Sequence, residues 1–386
     1  MNILLIFSAL QIIIYLFIVP FIKVHLGDAE LQYTWLVSVA FTMAFITGAI
    51  ISLNVYIEEN RQNSEKIEFK SVGKIYAIGW SLIVIYISFE YKLFNRRIGT
   101  DAAAELFSSI PIYTLVTFRS FEIALPFLMS ILIINCIENS KIKYIDAVII
   151  SIFTMAFYSL GAAGSRSATL LLIINILFLV QNRIPRSIIL KLGSLLIIIS
   201  VLALSIVQIN RLDDDDRTYR EYATTEVIDR LDGMELLSKI NEIHELKLTG
   251  INLDAAYNAI ISLIPFLEKS LELKAEGLTS IKSVALDEEL GSKERDHNSF
   301  IIFDIYYLFG LVGVVSFGTL LGFACLVVDK KIFNGNSQVG LIAIVSIGTN
   351  LIILEREFLG IVISIVRDFF IIYIVAKIFL LNKKVD

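Results

Sequence analysis

The chain has 386 residues, of which 56% are hydrophobic and 18% charged, with a formal net charge of −5. Soluble domains run nearer about 45–50% apolar and about 25% charged, so this composition, with a mean hydropathy of +0.75, excludes a soluble enzyme with a few apolar helices. Three His exclude a His-rich metal centre, and the two cysteines, Cys136 and Cys325, sit inside apolar runs, which excludes a disulfide framework or a cysteine metal site.

A membrane-crossing helix needs about 20 mostly apolar residues for a hydrocarbon core of about 30 Å. Windows of that length pick out about ten candidates in chain order, near 2–22, 33–57, 75–93, 120–137, 144–162, 167–181, 190–210, 299–327, 339–354 and 358–380. The first lacks a basic start and a small-residue cleavage site, so it reads as a retained span and not as a cleaved signal peptide. The runs at 167–181 and 339–354 are short. The 299–327 run is long, and Gly310, Gly313, Gly318 and Gly322 within it predict a tilt or a kink. Gly318 and Gly322 also form a small-xxx-small packing face.

The expected fold is an all-α polytopic membrane protein with about ten transmembrane helices and one large helical periplasmic loop. Its parts are an N-terminal transmembrane bundle over 1–210 with about seven spans, the loop over 211–298, and a C-terminal bundle over 299–386 with about three spans. With the N-terminus in the cytoplasm and the large loop set aside, Lys and Arg fall 14 to 7 on the cytoplasmic side, and the C-terminus ends there too.

The loop carries 20 Asp/Glu and 11 Lys/Arg, a balance of −9 that leaves the rest of the chain at +4. Within it Val227, Leu231, Met234, Leu237, Ile240 and Ile243 recur at steps of 3 or 4, which predicts an amphipathic helix over 222–248. Thr224 or Thr225 suits its cap, with Glu226 and Asp229 in the first turn. Ala256, Ile260, Leu263 and Leu267 predict a second helical stretch, interrupted at Pro265 and suited to the membrane surface. The four acids at 213–216 read as a solvated turn before a metal site. A phosphate-binding loop, dinucleotide fingerprint, zinc motif and nucleophile elbow are absent from the sequence. No cofactor, metal or nucleic acid is therefore expected.

Arginine on the outer side is the informative pattern. Arg166 stands in Gly164-Ser165-Arg166-Ser167, a tight turn between two predicted spans. Arg211, Arg217, Arg220 and Arg230 cluster at the start of the loop, Arg295 and His297 precede the long apolar run, and Arg356 lies in the last outer turn. The planar guanidinium fork gives bidentate, charge-assisted hydrogen bonds to phosphate, so these residues suit an anionic lipid headgroup. The plainer reading is that arginines flank spans everywhere, and Arg230 has Glu226 four residues earlier as an ordinary helix partner. Arg166 stands out because a lone charge in an outer turn runs against the positive-inside bias. His297 reads equally as a base or hydrogen-bond donor near neutral pH and as an interfacial residue. Arg367 and Asp368 lie inside the last apolar run, where charges are functional candidates by default. A structural pair of Arg367 with Glu122 or Asp304 is as good an explanation.

Three stretches carry a resemblance to the bacterial O-antigen, or oligosaccharide repeat-unit, polymerases (Wzy). Gly164-Ser165-Arg166-Ser167 looks like the outer-turn Ser-Arg element of these proteins. Arg230-Leu231-Asp232-Gly233-Met234 looks like the Arg-rich helix of their large loop. Asp296-His297-Asn298-Ser299-Phe300, followed by Leu308-Phe309-Gly310-Leu311-Val312-Gly313, is similar to the His-Asn element and glycine-bearing span shared with O-antigen ligases. Phe300-Ile301 replaces the leucine or tyrosine-leucine usual in ligases after His-Asn, which favours a polymerase.

The resemblance implies a metal-independent membrane glycosyltransferase of the GT-C type in the bacterial inner membrane, with its active site facing the periplasm. It implies a growing glycan on undecaprenyl diphosphate as donor and the terminal sugar of a lipid-linked repeat unit as acceptor, with membrane lipid around it and a chain-length regulator as partner. Arg166 and Arg230 would then clamp the diphosphate, and His297 would orient or deprotonate the acceptor hydroxyl. Arg211 assists, and Arg217, Arg220, Arg295 and Arg356 are further substrate-binding candidates. Fixed arginines suit this chemistry, because they stabilise the charge that develops on a diphosphate leaving group. A flippase or transporter of lipid-linked sugars is the first alternative, although such a protein is expected to show an internal repeat and charges along a central cavity. An O-antigen ligase is the second.

Overall fold

The structure is a computed structural model. It describes residues 2–18, 32–55, 66–91, 110–138, 144–160, 166–183, 300–332, 338–352 and 358–383, and singly Phe21, Pro185, Ser187, Tyr257, Ile261 and Leu354. Among the described residues the protein is mostly helical. The helices are α1 (Ile3–Ile13), which runs into a π turn (Ile14–Ile18), α2 (Gln32–Val55), α3 (Ser71–Glu90), α4 (Ile112–Glu138), α5 (Tyr144–Ser159), α6 (Arg166–Val180), α7 (Ile301–Lys331), α8 (Gln338–Leu351) and α9 (Phe358–Phe379).

Among the described residues four helical segments are long and apolar enough to cross a membrane: Trp35–Leu53 in α2, α3, Tyr113–Ile137 in α4, and α7. Their outward faces are as apolar as their inward ones. In α4, for instance, Phe118 is fully buried while Val116 is exposed, and Ile75 and Tyr86 of α3 are exposed as well. Water penalises such a surface and hydrocarbon does not, so the chain is a helical membrane protein. The predicted span at 190–210 and both predicted loop helices lie outside the described residues.

A two-stranded ladder departs from the all-α expectation. β1 (Lys66–Phe69) pairs antiparallel with β2 (Leu380–Lys383), with Phe69 opposite Leu380. The Lys70 N–H extends it by donating to Phe379 O at 2.9 Å, so the end of α9 is clasped to the start of α3. Four residues are too few to show a period of two, and the partners lie at opposite ends of the chain.

The long apolar run at 299–327 folds back on itself. Gly310 breaks α7 with φ 60° and ψ −159°, a region open essentially to glycine alone. In a straight helix residues 305 and 313 would stand about 12 Å apart along the axis. Here a Cβ built on Gly313 would lie 3.3 Å from Ile305 O. Likewise the Phe41 ring lies 6.3 Å from Phe300 and 6.5 Å from Phe317, residues that a straight helix would separate by about 25 Å. Residues 301–309 therefore form a short first limb that climbs beside the start of the long limb, 311–331. The short limb is buried on every side from Ile301 to Leu308.

The long limb packs on α2 through glycines. A Cβ on Gly318 would stand 2.9 Å from Phe41 O, and one on Gly322 would overlap Phe45 O. This is the small-residue face read from the sequence, and it lets the two backbones approach to contact. On the other side of the bundle Trp80 of α3 meets Phe121 of α4 edge to face at 5.3 Å, and Phe121 meets Phe153 of α5 at 5.8 Å.

Candidate functional site

Buried polar groups in an apolar bundle are expensive unless paired, so their partners show where the chain invests in polar order. Two such layers stand out, one at an end of the bundle and one near its middle.

The end layer is built on Asp329, in the last turn of α7. Its carboxylate accepts the Leu4 N–H at 3.0 Å and the Leu5 N–H at 2.9 Å. These are among the first amides of α1, which have no partner inside the helix. Gln181, just past α6, donates to the same carboxylate at 2.6 Å and accepts the Ile3 N–H at 2.9 Å. Asn182 donates to Asp329 O at 2.7 Å and to Ile332 O at 3.0 Å. One acid thus caps α1 from another helix and joins the start of α1 to the ends of α6 and α7. Its charge faces the positive end of the α1 dipole, where an anion is stabilised.

The middle layer gathers irregular backbone. Gln11 of α1 donates to Ile352 O at 2.7 Å and accepts the Leu354 N–H at 3.0 Å. The Ile301 N–H then donates to Leu354 O at 2.9 Å. Non-helical backbone at this depth survives only where protein satisfies it, and here one amide side chain does so in both directions. The stretch just past α8 and the first residue of α7 are therefore stitched together, with Tyr15 stacked on Phe300 at 5.2 Å. Asn350, at the end of α8, donates to Asp368 of α9 at 2.8 Å. Asp368 in turn accepts Arg367 Nε and Nη2, both at 2.9 Å, on its other oxygen.

That last contact corrects the expected partner of Arg367, which is its own neighbour and neither Glu122 nor Asp304. Glu122 instead pairs with Arg119 at 2.9 Å, one helical turn away on α4. Asp304 is fully buried in the short limb of α7. A further ion pair, Lys74 with Asp146, links α3 to α5.

Of the residues singled out from the sequence, Arg166 is at a described position, as the first residue of α6. Because α6 ends beside Gln181 at the Asp329 layer, its start faces the opposite end of the bundle. His297, Arg230, Arg211, Arg217, Arg220, Arg295 and Arg356 lie outside the described residues. Their nearest described neighbours in the chain include Phe300 and Ile301, shortly after His297, and Leu354, two residues before Arg356. Among the described residues no cluster of His, Cys, Asp and Glu could hold a metal ion.

Sequence reasoning missed Gln11, Asp329, Gln181, Asn350 and the inward role of Asp368. The available signal was a lone amide or acid inside or at the end of an apolar run. The chain matches no protein-family model, no curated protein and no solved structure.

Proposed function

We propose that this membrane protein polymerises lipid-linked oligosaccharide repeat units, moving a growing glycan from a polyprenyl diphosphate to the terminal sugar of a new lipid-linked unit. The acceptor hydroxyl attacks the anomeric carbon of the donor, the bond to the lipid diphosphate breaks, and the hydroxyl proton leaves to a base. Arg166 and Arg230 neutralise the departing diphosphate, with Arg211 assisting and Arg217, Arg220, Arg295 and Arg356 in substrate binding. His297 orients or deprotonates the acceptor hydroxyl.

The observation that carries the reading is the bond from the Ile301 N–H to Leu354 O at 2.9 Å. It joins the start of α7, which follows His297, to Leu354, which precedes Arg356, and Arg166 is the first residue of α6. The stretches that lead from His297 and to Arg356 are thus tied to each other through described backbone. Fixed donors held by a rigid scaffold suit a leaving group that gathers negative charge.

The test is a gel of surface polysaccharide from cells that carry a deletion of the chain, complemented with variants. Deletion leaves a surface glycan of one repeat unit. Arg166→Ala, expressed at the wild-type level, also leaves the single unit, and full-length polymer from that variant would falsify the role given to Arg166.

One observation favours a second reading, a transporter of lipid-linked saccharides. Breaks in membrane helices, such as that of α7 at Gly310, often mark transport sites. The same gel separates the two, because loss of a transporter strands precursors on the cytoplasmic side and leaves no surface glycan.

A further inference from the structure

The ladder that clasps the end of α9 to the start of α3 is also where lysine gathers. Residues 66–70 and 377–383 hold four lysines and one acid, Glu68. The register sets Lys66 opposite Lys383, and Glu68 opposite Leu381. Lys70 follows the first strand and donates from Nζ to Lys377 O at 2.6 Å. Lys377 itself is exposed, with its Nζ 5.5 Å from the centre of the Tyr373 ring. Lys74, one turn further on in α3, is neutralised by Asp146.

Helix ends explain part of this gathering. Lys70 answers the last carbonyls of α9, and Lys377 lies in its last turn, where a cation is stabilised. No helix end explains Lys66 opposite Lys383, because like charges directly across an antiparallel ladder are destabilising. A two-stranded ladder is marginal by itself, and this one carries that repulsion at the joint between α3 and α9.

The location supplies a counter-ion. α3 is 20 residues long, about 30 Å, which matches a hydrocarbon core of about 30 Å. Its first residue, Ser71, therefore stands at a membrane face, and the ladder before it stands at headgroup level. α3 starts with no acid in its first turn, so the positive end of its dipole adds to the lysines. A basic site between membrane helices at that level suits the phosphate of an acidic lipid. Val72 of α3 and Ile378 of α9, both exposed next to the ladder, give an acyl chain an apolar surface that a free phosphate does not use.

We propose that the ladder is a binding site for the phosphate of an anionic phospholipid, which lies between Lys66 and Lys383 and holds α9 closed on α3. The phosphate offsets the like-charge pair, and the acyl chains rest on the adjoining helix faces.

The test uses the purified full chain in neutral detergent with a dansyl-labelled phosphatidylglycerol. Binding is read as energy transfer from tryptophan, since Trp80 lies 5.7 Å from Phe379 at the ladder. Unlabelled phosphatidylglycerol displaces the probe about thirtyfold more effectively than phosphatidylcholine, the scale of two lysines at a membrane surface, and inorganic phosphate does not displace it. K66Q/K383Q removes the preference between the two lipids. K330Q/K331Q, which removes the same charge at the end of α7, keeps it. Heating supplies a second readout. Without lipid K66Q/K383Q melts at or above the wild type, because the repulsion is gone, and phosphatidylglycerol raises the midpoint of the wild type alone. Equal displacement by the two lipids overturns the proposal, and so does an equal loss in the two double variants, which would mark a diffuse charge effect. Displacement by inorganic phosphate as effective as by phosphatidylglycerol reassigns the ligand to a soluble anion and overturns it. Melting of K66Q/K383Q below the wild type without lipid assigns the lysines to the fold and overturns it equally.

Discussion

Replacing Asp329 by alanine tests whether one side chain holds three helix ends together. The carboxylate accepts two backbone N–H groups of α1 and the Gln181 amide, at 3.0, 2.9 and 2.6 Å. It is 1% exposed, so water does not replace it. Each buried donor left unpaired costs about 1–3 kcal/mol. The three share one acceptor group and relax together, so the expected loss is about 3–5 kcal/mol and not the full sum. Asp329→Asn keeps one oxygen for α1 but turns an N–H toward the other amide, and loses about half as much. The assay is the fraction of detergent-solubilised chain that stays monodisperse after stepwise heating. The expected order of stability is wild type, then D329N, then D329A. Gln181→Ala costs less in the D329A background than in the wild type, because its bond to the acid is already gone. If D329A melts with the wild type, or if the Gln181 and Asp329 losses add fully, the acid is not the hub and α1 is held by apolar packing alone.

Three other perturbations follow from the same geometry. Gly310→Ala forces a side chain into φ 60°, at a cost of about 1–3 kcal/mol, although open space surrounds the position. Spin labels at residues 305 and 313 report it as a longer mean distance while the short limb realigns with the long one; an unchanged distance means the fold-back does not depend on glycine. Gln11→Leu keeps the volume but strips Ile352 O and the Leu354 N–H of their partner, which lowers stability by about 2–4 kcal/mol. Gln11→Glu restores only the acceptor half, so it falls between the two in the same heating assay. Gly322→Leu drives a side chain into the Phe45 backbone and separates α2 from α7. A cysteine pair placed one turn further along α2 and α7 cross-links with Gly322 in place and no longer does once Gly322 is replaced by leucine.

The sequence alone determined the class of protein and the place of most described helices. Apolar runs of the right length mark α2, α3, α5, α6, α8 and α9 within a few residues of their ends, because in a membrane the length of an apolar run is itself the constraint. The helix-packing face at Gly318 and Gly322 was legible for a similar reason, since spacing by four puts both on one side of a helix. The start of α4 at Ile112, eight residues before the expected span, was not, because Thr114 and Arg119 dilute the apolar run there. The candidate arginines and His297 were chosen by residue chemistry and by their place between runs, and Arg166 stands as the first residue of α6.

Tertiary structure alone decided three things. It split one apolar run into two antiparallel limbs at Gly310, since composition records how apolar a segment is and not which way it travels. It chose Asp368 over Glu122 and Asp304 as the partner of Arg367, because an ion pair depends on distance, and three candidate acids look alike in a string of letters. And it gave Gln11 and Asp329 their work: each satisfies backbone groups more than three hundred residues away in the chain, a match set by how the helices stack and invisible to any local pattern.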